Sequence, residues 1–283
     1  MKLEGRRTSS NVDDRRRGGG TAAGLGIGGV IVAALIAWAM GGNPLEVITS
    51  QLGDIMQSGT EYVPSTQEDA MATFASQILA GTEDVWTKEF EKMGRRYVPP
   101  KMVLYTRATS SGCGSASSQT GPFYCPGDQT VYIDLSFFDQ MKDQLGAGGD
   151  FAYAYVIAHE VGHHVQYLLG TLDKVQQMQS RASKKESNQL NVRLELQADF
   201  FAGIWAYHDN KMYHSLEAGD IEKGLNAASA IGDDRLQMQS QGYTVPDAFN
   251  HGTSAQRVRW LKKGATTGRV ADGDTFSPNY TSL

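Results

Sequence analysis

Two histidines and a glutamate fall within five consecutive residues, as His159, Glu160 and His163. Positions four apart lie on one face of a helix, so both imidazoles could reach a single ion. Zn²⁺ binds neutral imidazole well. Glu160 would lie beside the ion, where its carboxylate could take a proton from the attacking water and pass it to a leaving amine. This spacing predicts a catalytic zinc site, and the alternative is an ordinary pair of surface or core histidines.

A catalytic zinc also needs a third protein ligand. A metzincin would have Gly and His three and six residues after His163, but Gln166 and Leu169 stand there. Glu195 and Asp199 are better candidates, because they also lie four apart on a predicted helix. One carboxylate could bind the ion while the other accepts a hydrogen bond from a ligand histidine. A solvated acidic pair is a poorer explanation, because this same helix is strongly apolar. Its large apolar residues are Phe200, Phe201, Ile204 and Trp205.

The elements that must position these residues are mostly helices. A capping box at Ser65 and Glu68 predicts that the first helix of the domain runs to about residue 93. Residues rich in β-formers predict strands at 101–106 and 130–135. The further helices are predicted at 150–169, 187–207, 216–239 and 253–263. The pattern indicates an α+β domain that is mostly helical and has a small sheet.

The N-terminal region is divided by charge. Basic residues cluster up to Arg17, none follows until Lys88, and residues 21–40 carry no charge. About 20 apolar residues in a helix span roughly 30 Å, enough for a bilayer core. The alternatives are a cleaved signal peptide and a buried helix. The expected division is a basic cytoplasmic tail (1–20), a transmembrane anchor (21–42), a linker (43–64) and the catalytic domain (65–283).

Charge and cysteine content bear on location. The positive-inside rule places the basic N-terminus in the cytoplasm and the catalytic domain in the periplasm or outside the cell, as a single-pass protein of the cell membrane. Cys113 and Cys125 would form a disulfide in an oxidising compartment, and the alternative is two free thiols. The net charge of −5 gives no reason to expect a nucleic acid partner, because phosphate binding needs a basic excess.

The longer string His-Glu-Val-Gly-His-His-Val-Gln, with Glu-Leu-Gln-Ala-Asp downstream, resembles the bacterial family called putative neutral zinc metallopeptidases, within the gluzincin group. The likeness extends to residues 113–116, 123–126, 131–134 and 251–257 and covers most of the chain. It implies a zincin-like domain in which His159, His163 and Glu195 bind Zn²⁺. Glu160 is then the general base, and Asp199 supports a ligand histidine.

The resemblance also implies how a substrate lies. In gluzincins an edge strand before the active-site helix pairs with an extended peptide, and Val131, Tyr132 and Ile133 are the matching candidates. His251 precedes a helix that Thr253 would cap, and it could donate to the oxyanion that forms during hydrolysis. The alternative for His251 is a structural role in its loop.

The expected function is hydrolysis of peptide bonds in a protein or peptide substrate by a membrane-anchored zinc metallopeptidase. A non-catalytic, metal-stabilised binding or scaffold protein of the envelope is one alternative. The presence of Glu160 argues against it, because a structural zinc site has no need of that carboxylate. A zinc amidase acting on a non-peptide substrate is another alternative, because its metal ligands would be the same.

Overall fold

A computed structural model describes residues 1–16 and 62–283. The predicted anchor at 21–42 and most of the predicted linker at 43–64 lie outside these residues. No helix within the described part of the chain is both long enough and apolar enough to span a membrane. The described residues form a mostly helical α+β fold with a small sheet, which confirms the predicted fold class of the domain.

Eight α-helices are described. They are α1 (Thr66–Lys92), α2 (Ser136–Leu145), α3 (Asp150–Leu169), α4 (Thr171–Gln179), α5 (Lys184–Tyr213), α6 (Asp220–Ala230), α7 (Asp233–Gln241) and α8 (Ser254–Thr267). Reciprocal capping boxes begin α1 at Ser65 and α8 at Thr253, as predicted. The single helix predicted at 216–239 is instead α6 and α7. Gly232 separates them and lies against the backbone of Ser254, where a side chain would not fit.

Within the described residues the main sheet has four strands in the order β1-β2-β6-β5. These are β1 (Val12–Asp14), β2 (Lys101–Tyr105), β5 (Phe123–Cys125) and β6 (Thr130–Asp134). β1, β2 and β6 are parallel, whereas β5 runs antiparallel to β6. Strands β3 (Ala108–Ser111) and β4 (Gly114–Ser117) form a separate antiparallel pair. The sequence predicted β2 and β6 but not the shorter strands.

The prediction of a separate tail at 1–20 is wrong for residues 1–16. Strand β1 lies within this segment and pairs with β2, from Val12 beside Met102 to Asp14 beside Leu104. Arg6, Arg7 and Arg16, which suggested a free cytoplasmic tail, bind acidic residues of the domain instead. The Arg6 guanidinium, for example, bonds both carboxylate oxygens of Asp209 on α5.

Glycines bring the helices that carry the site into close contact. Gly162 on α3 lies against Ala198 on α5, where an added Cβ would be 3.0 Å from the Ala198 carbonyl oxygen. Gly203 on α5 and Gly264 on α8 leave no room for a Cβ between those two helices. The core around these contacts is rich in large aromatic side chains. They include Trp86, Phe90, Phe151, Phe200, Phe201 and Trp205.

Candidate active site

The three predicted metal ligands converge on one point. His159 and His163 project from α3 and Glu195 from α5, and their ligand atoms lie within 4.8 Å of one another. The two imidazole Nε2 atoms lie 3.1 and 3.4 Å from the Glu195 carboxylate oxygens. Tetrahedral zinc with bonds near 2.0–2.1 Å places neighbouring ligand atoms about 3.4 Å apart. The donor set and its spacing therefore fit Zn²⁺.

The other nitrogen of each ligand imidazole is held by the protein. Nδ1 of His159 lies 2.8 Å from Asp199, as predicted, and Nδ1 of His163 lies 2.9 Å from the side-chain oxygen of Gln166. If each Nδ1 carries the proton, both Nε2 lone pairs face the metal position. Gln166 also donates to the Leu194 carbonyl on α5. One feature of the sequence points to Gln166, namely its position three residues after His163 on the same helix.

Asp199 lies at the centre of a buried network that includes Arg257 of α8. The guanidinium donates from Nε and Nη2 to the two oxygens of Asp199, each at 2.9 Å. The Tyr155 hydroxyl donates to the same carboxylate at 2.6 Å. Both Arg257 and Asp199 are almost wholly buried. Sequence reasoning assigned Arg257 no role at the site.

The charges of this network shift the ionisation of its members. Burial disfavours the charged form of His159 and lowers its pKa. The attraction of the Asp199 carboxylate and its hydrogen bond are stronger and raise the pKa of His159 to about 10. Burial likewise raises the pKa of Glu195, but His163 and His159 outweigh it and hold that pKa far below its usual range. Zn²⁺ at this position would therefore displace a proton from His159 when it binds.

Glu160 lies next to the metal ligands and has a different environment. It is buried, and its carboxylate makes no hydrogen bond or ion pair with any residue in the described ranges. Burying a carboxylate without a partner is unfavourable. Glu160 instead lines the cavity that His159 and His163 also line. A carboxylate in this position can exchange protons with a molecule bound in the cavity.

The cavity has a volume of about 560 Å³ and is largely apolar away from the metal ligands. Its walls come from β5 and the segment before it, from α2, α3, α4 and α7, and from the junction of α6 and α7. The residues that supply these walls include Pro122, Phe123, Phe137, Val156, Leu172, Ile231 and Leu236. The shape and composition suit an apolar side chain of a bound molecule.

His251 lines the same cavity and is half exposed. Its Nδ1 lies 3.1 Å from Asp233, and this hydrogen bond raises the pKa of His251. The other oxygen of Asp233 accepts the backbone N–H groups of Asn250, His251 and Gly252. The loop that carries His251 is thus fixed by Asp233. This position agrees with either of the two predicted roles, so the role in catalysis stays a prediction.

The prediction that Val131, Tyr132 and Ile133 form the substrate strand is wrong in one respect. These residues lie in β6, which is buried between β2 and β5 and has no free edge. Among the described residues the strand beside the cavity with one unpaired side is β5, and its Phe123 and Tyr124 line the cavity. Strand order depends on pairings that short strands do not specify in sequence.

One hydrogen bond holds β5 beside the active-site helix, and a second joins this helix to the segment before β2. The Tyr124 hydroxyl lies 2.9 Å from Nδ1 of His164 on α3, and the His164 Nε2 lies 2.7 Å from the Val98 carbonyl. Burial lowers the pKa of His164 to about 4, so this histidine is neutral at pH 7. The predicted disulfide between Cys113 and Cys125 is present and ties the last residue of β5 to the preceding hairpin.

Comparison with known proteins agrees with this geometry. The family described as "Putative neutral zinc metallopeptidase" matches residues 1–276, which is nearly the whole chain. The chain belongs to this family. Family membership makes Zn²⁺ the cofactor, in agreement with the cluster formed by His159, His163 and Glu195. At a coarse level it also makes the protein a hydrolase of the metallopeptidase type.

Relatives of the chain occur in Escherichia coli and Mycobacterium tuberculosis. The chain is 53% identical to "Uncharacterized protein YpfJ" of Escherichia coli (strain K12) over 286 residues, which cover 98% of this chain and 99% of that protein. It is 45% identical to "Uncharacterized protein Rv2575" of Mycobacterium tuberculosis over 191 residues, which cover 64% of each chain. No solved structure matches the chain significantly.

Proposed function

We propose that this protein is a metallopeptidase that hydrolyses peptide bonds with Glu160 as its general base. The observation that carries the proposal is the position of Glu160. Its carboxylate has no partner among the described residues and faces the cavity beside the cluster of His159, His163 and Glu195. A purely structural zinc site would not need an unpaired buried carboxylate next to its ligands.

Each residue of the site has its own proposed role in the reaction. Zn²⁺ held by His159, His163 and Glu195 would supply Lewis-acid activation of the attacking water and of the scissile carbonyl. Glu160 accepts a proton from the water and transfers it to the nitrogen of the leaving amine. His251, as an imidazolium, donates a hydrogen bond to the oxyanion that develops on the former carbonyl oxygen.

Strand β5 is the proposed docking edge for the substrate. An extended peptide that pairs with β5 would pass Phe123 and Tyr124, which line the cavity. Backbone hydrogen bonds of this kind provide affinity, and a pocket for one side chain provides specificity. The apolar walls of the cavity therefore favour an apolar residue next to the scissile bond. A protein or peptide with a locally extended segment is the substrate class that these features support.

The apolar sequence at 21–42 supports attachment of the enzyme to a membrane, although it lies outside the described residues. The disulfide between Cys113 and Cys125 supports a location of the domain outside the cytoplasm, where disulfides persist. We propose that the active site works on that side of the cell membrane.

Zinc content and hydrolysis together test this proposal. The full chain, purified in detergent, should contain about one zinc ion, and the Glu195→Ala variant should lose it. The parent should cleave members of a mixed peptide library and should stop when a chelator removes the zinc. Bound zinc without cleavage of any peptide would favour the scaffold or amidase alternative. Absence of zinc, or zinc that does not depend on Glu195, would overturn the site assignment.

A further inference from the structure

The first sixteen residues, here called the N-terminal segment, are built into the sheet of the peptidase domain. Strand β1 pairs in parallel with β2, and backbone hydrogen bonds continue on both sides of the paired residues. The Met102 N–H donates to the Asn11 carbonyl at 2.9 Å, and the Arg15 N–H donates to the Leu104 carbonyl at 2.8 Å. The segment therefore adds a strand to the sheet rather than resting on its surface.

Arg6 anchors the segment to α5. Its guanidinium lies 2.9 and 2.6 Å from the two oxygens of Asp209 and 4.1 Å above the ring of Tyr213. The Asp209 side chain is 1% exposed and that of Arg6 is 9% exposed. Asp209 is thus a buried carboxylate whose counter-charge comes from the N-terminal segment. Removal of Arg6 would leave that charge buried and unpaired, which is strongly unfavourable.

Glu83 on α1 depends on the same segment. This carboxylate is 7% exposed. It accepts hydrogen bonds from Ser9 at 2.5 Å, from Asn11 at 2.8 Å and from Arg7 at 2.9 Å. All of its side-chain hydrogen-bond partners among the described residues belong to the N-terminal segment. Two helices of the domain therefore carry buried acids whose cationic partners, Arg6 and Arg7, belong to residues 1–16.

We infer that the N-terminal segment is a permanent part of the peptidase domain and lies in the same compartment as the active site. A chain that crossed a membrane once between residues 17 and 61 would place strand β1 and strand β2 on opposite faces, and they could not pair. Arg6 and Arg7, which suggested a cytoplasmic tail, are engaged with acidic residues of the domain in the folded protein. This inference rests on contacts remote from the metal cluster and does not depend on peptidase activity.

Thiol labelling of the full chain in cells tests the compartment. Ser10→Cys in the N-terminal segment and Glu222→Cys on α6 each place a thiol at an exposed position. The unmodified chain is the control for its native cysteines. With a membrane-impermeant maleimide, both variants should react in intact spheroplasts, or both only after lysis. Reaction of one variant in intact spheroplasts and of the other only after lysis would overturn the inference.

Two arginine variants test the docking itself. Arg6→Ala removes the cationic partner of buried Asp209, whereas Arg15→Ala removes a side chain that, within the described ranges, bonds only Asp13 of its own segment. Arg6→Ala should lower the Tm of the full chain by at least about 6 °C, or prevent folding, and Arg15→Ala should lower it by less than about 2 °C. Equal and small shifts for both variants would overturn the inference.

Discussion

Gly162 on α3 and Ala198 on α5 bring the backbones of these two helices into close contact. Gly162 lies between the ligands His159 and His163, and Ala198 lies three residues after the ligand Glu195. A Cβ at Gly162 would lie 3.0 Å from the Ala198 carbonyl oxygen and 3.1 Å from its Cα. The distance between the two halves of the metal cluster is therefore fixed by main-chain contact. The replacement Gly162→Ala requires the backbones of α3 and α5 to shift by a few tenths of an ångström.

Gly162→Ala should weaken zinc binding by about 10-fold or more, a loss similar to that caused by disturbing groups behind a metal ligand. Alanine favours a helix over glycine by about 1 kcal/mol, so the helix itself should not be weakened. Zinc affinity can be measured by competition with a chromophoric chelator, and circular dichroism controls for helix content. Unchanged affinity with unchanged helix content would show that the contact does not set the ligand spacing.

Glu160→Gln should keep the zinc and lose hydrolysis. The amide cannot accept a proton, whereas His159, His163 and Glu195 are untouched. Loss of general-base catalysis should lower kcat by about 10²–10⁴-fold. Zinc content by elemental analysis and kcat on a peptide substrate provide the two readouts, with exposed Glu222→Gln as the matched control. If Glu160→Gln kept full turnover, the proposed mechanism would be wrong.

Arg257→Ala should destabilise the fold, because Asp199 would stay buried without its counter-charge. Breaking a buried pair in this way costs about 3–5 kcal/mol of the free energy of unfolding. The double variant Arg257→Ala with Asp199→Asn removes both charges and should lose less stability than the sum of the losses of Arg257→Ala and Asp199→Asn. Urea unfolding of the chelator-treated proteins measures their free energies of unfolding without a contribution from bound metal. Additive losses would indicate that the two side chains do not act as a pair.

The pH dependence of kcat/KM should show the effect of the hydrogen bond between His251 and Asp233. Asp233 raises the pKa of His251, so the imidazolium persists to higher pH. If the imidazolium donates to the oxyanion, kcat/KM falls as pH rises through that pKa. Asp233→Asn should move this alkaline limb to lower pH, and His251→Gln should abolish it while the zinc is retained. An alkaline limb that is the same in all three proteins would leave His251 with the structural role only.

The hydrogen bond between His251 and Asp233 should also make the stability of the fold depend on pH. A raised pKa of His251 in the folded state contributes stability that is fully present below its unfolded pKa, about 6.5. This contribution is lost as pH rises through the folded pKa. The difference in Tm between the parent and Asp233→Asn should therefore be larger at pH 6 than at pH 9.

The metal cluster could be predicted from sequence because its spacing is local. His159 and His163 lie one helical turn apart, as do Glu195 and Asp199, and this period identifies one face of each helix. Arg257 could not be predicted in the same way. It lies 58 residues from Asp199 and reaches it only because α5 and α8 cross closely at their glycines.

The sheet and the N-terminal segment were harder to predict, for a related reason. Strands β1 and β5 have three residues each, too few for an alternating pattern to identify them. The arginines before residue 17 look like a free basic tail when only neighbours in sequence are considered. Their acidic partners Glu83 and Asp209 lie 76 and 203 residues away. Interactions of that range appear only in the folded chain.

The hydrogen bonds behind the two ligand histidines have a consequence for how the enzyme acquires its metal. Asp199 and Gln166 orient the imidazoles through Nδ1, and helix contacts position Glu195, so the coordination geometry is set by protein groups. Metallation can then follow folding as a separate step, unlike in small domains that fold only around their zinc. The amount of active enzyme in a cell would then track the zinc supply of the compartment where the folded protein resides.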